Sequence, residues 1–124
     1  MDKYRIDVVV EPVYLEEQSD VAADVYAFGY RVRLVNRGSV PVRLESRHWV
    51  IVDANGRVQE VRGPGVVGEH PHMAPGHGFE YTSWVRLETP YGSMEGSYRM
   101  RADDGTEFDA PIPRFELVAP RVLH

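Results

Sequence analysis

The stretch Val25-Tyr26-Ala27-Phe28-Gly29-Tyr30-Arg31-Val32-Arg33-Leu34-Val35-Asn36 decides the fold class. Tyr26, Phe28, Tyr30, Val32 and Leu34 occupy every second position, and Arg31 and Arg33 alternate with them. A period of two places the five apolar side chains on one face of a strand, whereas a helix, at about 3.6 residues per turn, would scatter them around its circumference. The segment reads as a strand with one buried face.

The same period recurs on both sides of it. Tyr4, Ile6, Val8 and Val10 alternate, and the pattern resumes on the opposite parity at Val13 and Leu15 beyond Pro12. That slip predicts a β-bulge or a strand crossing between sheets, either of which accommodates a proline that cannot donate to the ladder. Downstream, Val40, Val42 and Leu44, then Trp49 to Val52, then Phe79, Tyr81, Val85 and Leu87 read as strands. Met94, Tyr98 and Met100, followed by Phe108, Ala110 and Ile112, bring the total to about seven.

Asn36-Arg37-Gly38, Asp53-Ala54-Asn55-Gly56 and Asp103-Asp104-Gly105 offer the residues that turns with positive φ require, and predict hairpins. The expected fold is all-β, a two-sheet sandwich of fibronectin type III or immunoglobulin kind, formed as one domain over residues 1–124. A closed barrel is the alternative. Two connections exceed a simple turn: the acidic, polar Glu16 to Asp24, and Gly63 to Gly78 with five glycines and three prolines. Long loops on a rigid scaffold are where function concentrates.

Composition narrows the function classes. Of 124 residues, 43% are hydrophobic and 27% charged, which suits one core of ordinary size. Fourteen Lys and Arg against nineteen Asp and Glu leave a formal net charge of −5, a field that repels phosphate and argues against a nucleic-acid partner. There is no cysteine, so disulfides, thiolate metal sites and cysteine nucleophiles are excluded together. The longest apolar runs, such as Trp49-Val50-Ile51-Val52, fall far short of the roughly 20 residues of a spanning helix. Met1-Asp2-Lys3-Tyr4-Arg5 lacks an apolar run of signal-peptide length. The expectation is a cytoplasmic protein without a membrane partner.

Along nearly the whole chain, the order of motifs resembles the ApaG family. The resemblance rests on Tyr14-Leu15 with Gln18-Ser19, on Tyr26, Phe28, Tyr30 and Asn36, and on Arg47 and Trp49. It continues through Gly63-Pro64-Gly65-Val66-Val67-Gly68 with Pro71, Pro75 and Gly76, and through Tyr81-Thr82-Ser83. Thr89-Pro90, Gly92, Met94, Gly96, Tyr98, Ile112-Pro113 and Phe115 complete it. The resemblance implies a fibronectin type III-like sandwich. It also implies a bacterial gene neighbourhood shared with a diadenosine tetraphosphate hydrolase and a ribosomal-RNA methyltransferase, with associations to cobalt tolerance and magnesium efflux. Related domains serve as modules in eukaryotic F-box and DNA-polymerase-interacting proteins, which favours protein recognition over chemistry. Trp84 departs from the family pattern, which more often has glycine there, and His70, His72 and His77 are not signature positions.

Gly63-Pro64-Gly65-Val66-Val67-Gly68 spells G-x-G-x-x-G, a pyrophosphate cradle when a strand precedes it and a helix follows. Pro71 and Pro75 deny it that helix, so nucleotide or polyphosphate binding through Gly63, Gly65 and Gly68 ranks behind a structural or recognition loop. A nest of backbone N–H groups keeps the nucleotide alternative open. Val66 and Val67 either pack inward and fix the loop or point outward as a recognition patch. The patch is the reading adopted.

His70-Pro71-His72 and His77 offer imidazoles but no thiolate and no i, i+4 pair on a helix, and read as solvated loop residues; no metal site and no cofactor is expected. His124 is terminal. Asp53-x-Asn55-Gly56 matches the opening of a calcium loop but lacks the closing glutamate, and Asp103-Asp104 reads as a solvated hairpin tip. The G-x-S-x-G, H-E-x-x-H and P-loop patterns are absent. On an alternating strand Tyr81 and Ser83 share one face while Thr82 and Trp84 share the other, and an outward Trp84 makes a binding anchor. These readings converge on a non-catalytic domain that recognises another protein through the Gly63 to Gly78 loop, with Gly63, Gly65, Val66, Val67, Gly68 and Trp84 as its binding residues.

Overall fold

The computed structural model describes residues 2–120; His124 lies outside them. The described residues form β1 (Ile6–Tyr14), β2 (Tyr26–Asn36), β3 (Val42–Asp53), β4 (Val58–Pro64), β5 (His72–Met73), β6 (Gly78–Leu87), β7 (Tyr91–Ala102) and β8 (Glu107–Val118). They build two antiparallel sheets. The smaller has the order β1-β2-β6, and the larger β4-β3-β7-β8, with the short β5 also paired to β3. Between β1 and β2 the chain makes two single-turn 3-10 segments, Glu16–Gln18 and Val21–Ala23. No helix among the described residues is long and apolar enough to cross a membrane.

The inward faces carry the period read from the sequence. Phe28, Tyr30, Val32 and Leu34 of β2 meet Trp49, Ile51, Met94, Tyr98 and Leu117 of the larger sheet, all buried. Trp49 is the hub: its ring meets Tyr30 at 5.4 Å, Tyr98 at 6.3 Å and Phe115 at 6.0 Å, each edge to face, an arrangement that the ring quadrupoles favour.

Four expectations change in the structure. There is no slip at Pro12: β1 pairs with β2 in unbroken register from Ile6 opposite Asn36 to Tyr14 opposite Phe28. Tyr14 turns inward against the Phe28 ring, at 5.5 Å, while Val13 sits exposed on the outer face, where it covers Gly29. Pro12 is tolerated without a bulge because β1 is an edge strand. Val42 to Leu44 and Trp49 to Val52 belong to one strand rather than two, joined across a register shift between Leu44 and Ser46, and Val40 lies just before it.

Val58–Pro64 is a further strand that the apolar period did not reveal. Asn36-Arg37-Gly38 is not a hairpin, because β2 and β3 lie in different sheets. The buried Asn36 side chain donates to the carbonyls of Val40 and Met73 and accepts from the Gly38 amide, which steers the chain across. The Asp53 and Asp103 turns do close hairpins, β3 to β4 and β7 to β8.

The two seams of the sandwich differ. On one side β1 lies against β8, and the Tyr4 ring packs on Phe108 at 5.4 Å. On the other, β6 and β4 share no ladder and leave an opening.

Candidate functional site

Arg47 lies at an inward-facing position of β3, two residues before the buried Trp49. Its strand partner across the β3–β4 ladder is Gly63. The guanidinium lies over that glycine, so close that a Cβ there would come within 3.0 Å of it. From this position one guanidinium nitrogen donates to the carbonyls of Pro64 and Gly65, each at 2.9 Å. Gly63 is therefore a strand residue that lets an arginine cross it.

Beyond Pro64 the chain leaves the sheet edge. The Gly65 amide donates to the Glu45 carbonyl at the register shift in β3, and Gly65 takes φ +59, where a Cβ would collide with the Glu69 carbonyl. Val66 and Glu69 then pair with each other through both amides, at 2.9 Å each, around a two-residue tip of Val67 and Gly68. Both tip residues have positive φ, 44° and 81°, as in a type I′ turn. A β-branched residue rarely adopts such angles, and holding it there costs on the order of 1–3 kcal/mol. The two valines part company: Val66 is wholly buried and Val67 is 56% exposed. Of the two valines expected to point outward, only Val67 does so, since the turn sends Val66 into the core.

The loop stands at one end of the open seam. Between β6 and β4 lies a cleft of about 330 Å³ lined by Tyr30, Arg47, Trp49, Val61, Ser83 and Trp84, among others. It continues into a recess of about 150 Å³ bounded by Val66, Val67 and Tyr81. Tyr30, Arg47, Trp49 and Ser83 belong to both. Trp84 faces outward, 61% exposed, with the Arg86 guanidinium 5.2 Å from its ring centroid. Val67 and Trp84 therefore flank one opening, although they lie on different loops and strands.

Burial raises the Tyr30 phenol above its ordinary pKa, against the opposing pull of the Ser83 hydroxyl and the Arg47 charge. Deeper in, the Tyr81 and Tyr98 hydroxyls bond to each other and tie the two sheets together. Both phenols are pushed well up, by burial first; for Tyr98 the neighbouring Tyr81 adds to the rise. These groups are neutral at ordinary pH. A broader depression of about 590 Å³ lies on the outer face of the larger sheet, where Arg99 pairs with Asp109 and His48 meets Glu60.

The histidines of the loop region go separate ways. His70 contacts the Leu44 carbonyl at 3.1 Å, and His72 pairs with Asp103 at 2.9 Å. Among the described residues, no group of three or more His, Asp or Glu side chains is disposed to hold a metal. The acids at the hairpin tips are held locally as well: Asp53 accepts from the Asn55 and Arg57 amides, and Asp104 accepts from the Tyr4 hydroxyl. Arg47 is the residue that sequence reading left without a role. A charge at the parity of a buried tryptophan was the signal that could have found it.

The fold and site define a two-sheet β-sandwich with a cleft between unpaired edges, guarded by an outward tryptophan and a strained valine. The family model described as the ApaG domain matches residues 16–102. A "Protein ApaG" from Chromobacterium violaceum is 62% identical over 121 residues, covering 98% of this chain and 96% of that protein. One from Nitrosospira multiformis is 58% identical over 122 residues, with the same coverage, 98% and 96%. A crystal structure of a Bordetella pertussis protein superposes with a TM-score of 0.94 at 49% identity, covering 98% of each chain. The chain belongs to the ApaG family.

Proposed function

We propose that this is a non-catalytic recognition domain that engages a partner protein at the mouth of the β6–β4 cleft, through Val67 and Trp84. The observation that carries the reading is Val67, a valine held exposed at φ 44° where glycine or asparagine would sit without strain. Such strain at an exposed loop tip marks a position held for contact rather than for stability. Trp84 across the opening adds a large, rigid apolar anchor of the kind enriched at interface hot spots. The lining supports a non-catalytic role: beside Ser83 stand a neutral phenol and an arginine, neither of which takes up a proton at neutral pH.

Binding of a nucleotide or polyphosphate is the competing reading. Against it, the amides of Gly65, Val66 and Glu69 already donate to backbone carbonyls, so they are not available to cradle a phosphate. The role is set in the cytoplasm, and any link to cobalt tolerance or magnesium efflux runs through the partner rather than through a bound ion.

Crosslinking in native cells, followed by capture on the full chain, tests the proposal. Val67→Asn and Trp84→Ala are expected to lose the captured protein while keeping the fold, and unchanged capture by both variants overturns the reading. Titration with ATP, GTP and diadenosine tetraphosphate, followed by backbone amide shifts, is expected to give no saturable micromolar response. Shifts centred on Gly63, Gly65 and Gly68 would put the nucleotide reading in its place.

A further inference from the structure

Four long strands form the outer edges of the sheets: β1 and β6 of the smaller, β4 and β8 of the larger. An edge strand presents backbone donors and acceptors that another chain can pair with, and proteins blunt such edges with proline, bulges, charge or cover. Here β1 carries Pro12 and lies against β8, which carries Pro111 and Pro113 and a register shift opposite Met94–Gly96. β4 ends on Pro64 and carries Glu60 and Arg62. β6 has none of these devices at its centre. From Gly78 to Leu87 it contains no proline, its register with β2 is unbroken, and the run Tyr81-Thr82-Ser83-Trp84-Val85 has no charge. Tyrosine, threonine, tryptophan and valine all favour strand pairing.

The charge beside this edge is one-sided. The cleft lining includes Arg47 and Arg86 and no carboxylate, in a chain of formal net charge −5. Arg31 and Arg33, on the outer face of the same sheet, share Glu80. Among the described residues, the contacts of Arg47 are instead carbonyls and that of Arg86 is the Trp84 ring. Arg47 uses one terminal nitrogen on those carbonyls, and its remaining N–H groups suit a carboxylate. The carboxylates of the neighbouring hollow, Asp53 and Glu88, lie at the Leu87 end.

Resting on the recognition reading above, we propose that β6 takes up an extended, acidic segment of the partner protein as an added strand, with an Asp or Glu of that segment directed at Arg47. Backbone pairing along Tyr81–Val85 supplies affinity that is indifferent to sequence. Alternate side chains of the added strand enter the cleft over Trp49 and Val61, and the others lie beside Trp84. Selectivity for acid comes from the cleft arginines, and a basic segment is rejected by them.

The experiment selects displayed random ten-residue peptides on the full chain and titrates the enriched sequences, made with blocked ends, into isotope-labelled protein. Acidic residues are expected to be enriched, and bound peptide is expected to slow hydrogen exchange of amides between Tyr81 and Val85 at least tenfold. Methylating alternate backbone nitrogens of the peptide, or changing its acid to the amide, is expected to weaken binding tenfold or more. Arg47→Gln should weaken the acidic peptide and leave its amide counterpart unaffected. The peptide-side changes decide the matter even where that variant folds poorly. Enrichment without acidic bias, binding that survives N-methylation, or no enrichment at all overturns the inference. So does sedimentation showing self-association through β6, which makes the occupant a second copy. In each of those cases the capture experiment with Val67→Asn and Trp84→Ala still judges the recognition reading separately.

Discussion

The β1–β8 seam and the β6–β4 seam are the same architectural feature treated in opposite ways. At the first, two proline-bearing edges come together and aromatic rings close the gap. At the second, an edge without proline faces a cleft that holds Arg47, a hydroxyl and an exposed tryptophan. A sandwich needs only one core, and that core is complete behind both seams. The open seam is therefore no packing defect: it leaves Val67 strained and Trp84 in water, neither of which the fold requires.

The largest expected contrast is between the two tryptophans. Trp49, 2% exposed behind the open seam, is expected to cost about 3–5 kcal/mol when changed to Ala, read from denaturant unfolding. Trp84 at the mouth of the seam should cost about 0.5 kcal/mol or less. Comparable losses at both positions would break the distinction between core and mouth.

Alkaline pH probes the sheet-to-sheet tie behind the cleft. The Tyr81 and Tyr98 phenols are raised from an ordinary 10.0, so the unfolded chain gives up their protons first. Their contribution is fully present below pH 10 and lost as pH rises above it, by about 1.4 kcal/mol per pH unit for each phenol. Unfolding midpoints between pH 8 and 11.5 should fall accordingly, and changing both residues to Phe should flatten the fall.

The adjacent valines sharpen the comparison within a single turn. Val66→Ala, at a wholly buried position, is expected to destabilise by about 2 kcal/mol. Val67→Asn restores the residue type that this turn prefers at φ 44° and is expected to stabilise by about 1 kcal/mol while weakening partner capture. A loss of stability at Val67 would remove the argument from strain. Thermal melts of the two single variants, run side by side, give both answers.

How far the sequence could be read varied along the chain for a physical reason. Strands with one buried face, such as Tyr26–Asn36, announce themselves by alternation, because burial itself imposes the period. Val58–Pro64 has no buried residue, so its apolar pattern is weak and its strand state comes from pairing with β3. Asn36-Arg37-Gly38 carries turn chemistry that serves a hairpin and a crossover equally well. Of the proposed binding residues, Val67 and Trp84 were legible as exposed candidates, while Arg47 showed only as a charge at the parity of Trp49, and nothing local shows that its side chain crosses Gly63.

Residue order was enough for the all-β class, most of the strands, and the failure of the G-x-G-x-x-G run to open a helix, because these follow from side-chain period and from proline stereochemistry within a few residues. Tertiary structure alone decided which strands share a sheet, which of two adjacent valines is buried, and that Arg47, Val67 and Trp84 meet at one opening. Those outcomes depend on contacts between residues far apart in the chain, and no local preference of an amino acid encodes which seam of a sandwich stays open.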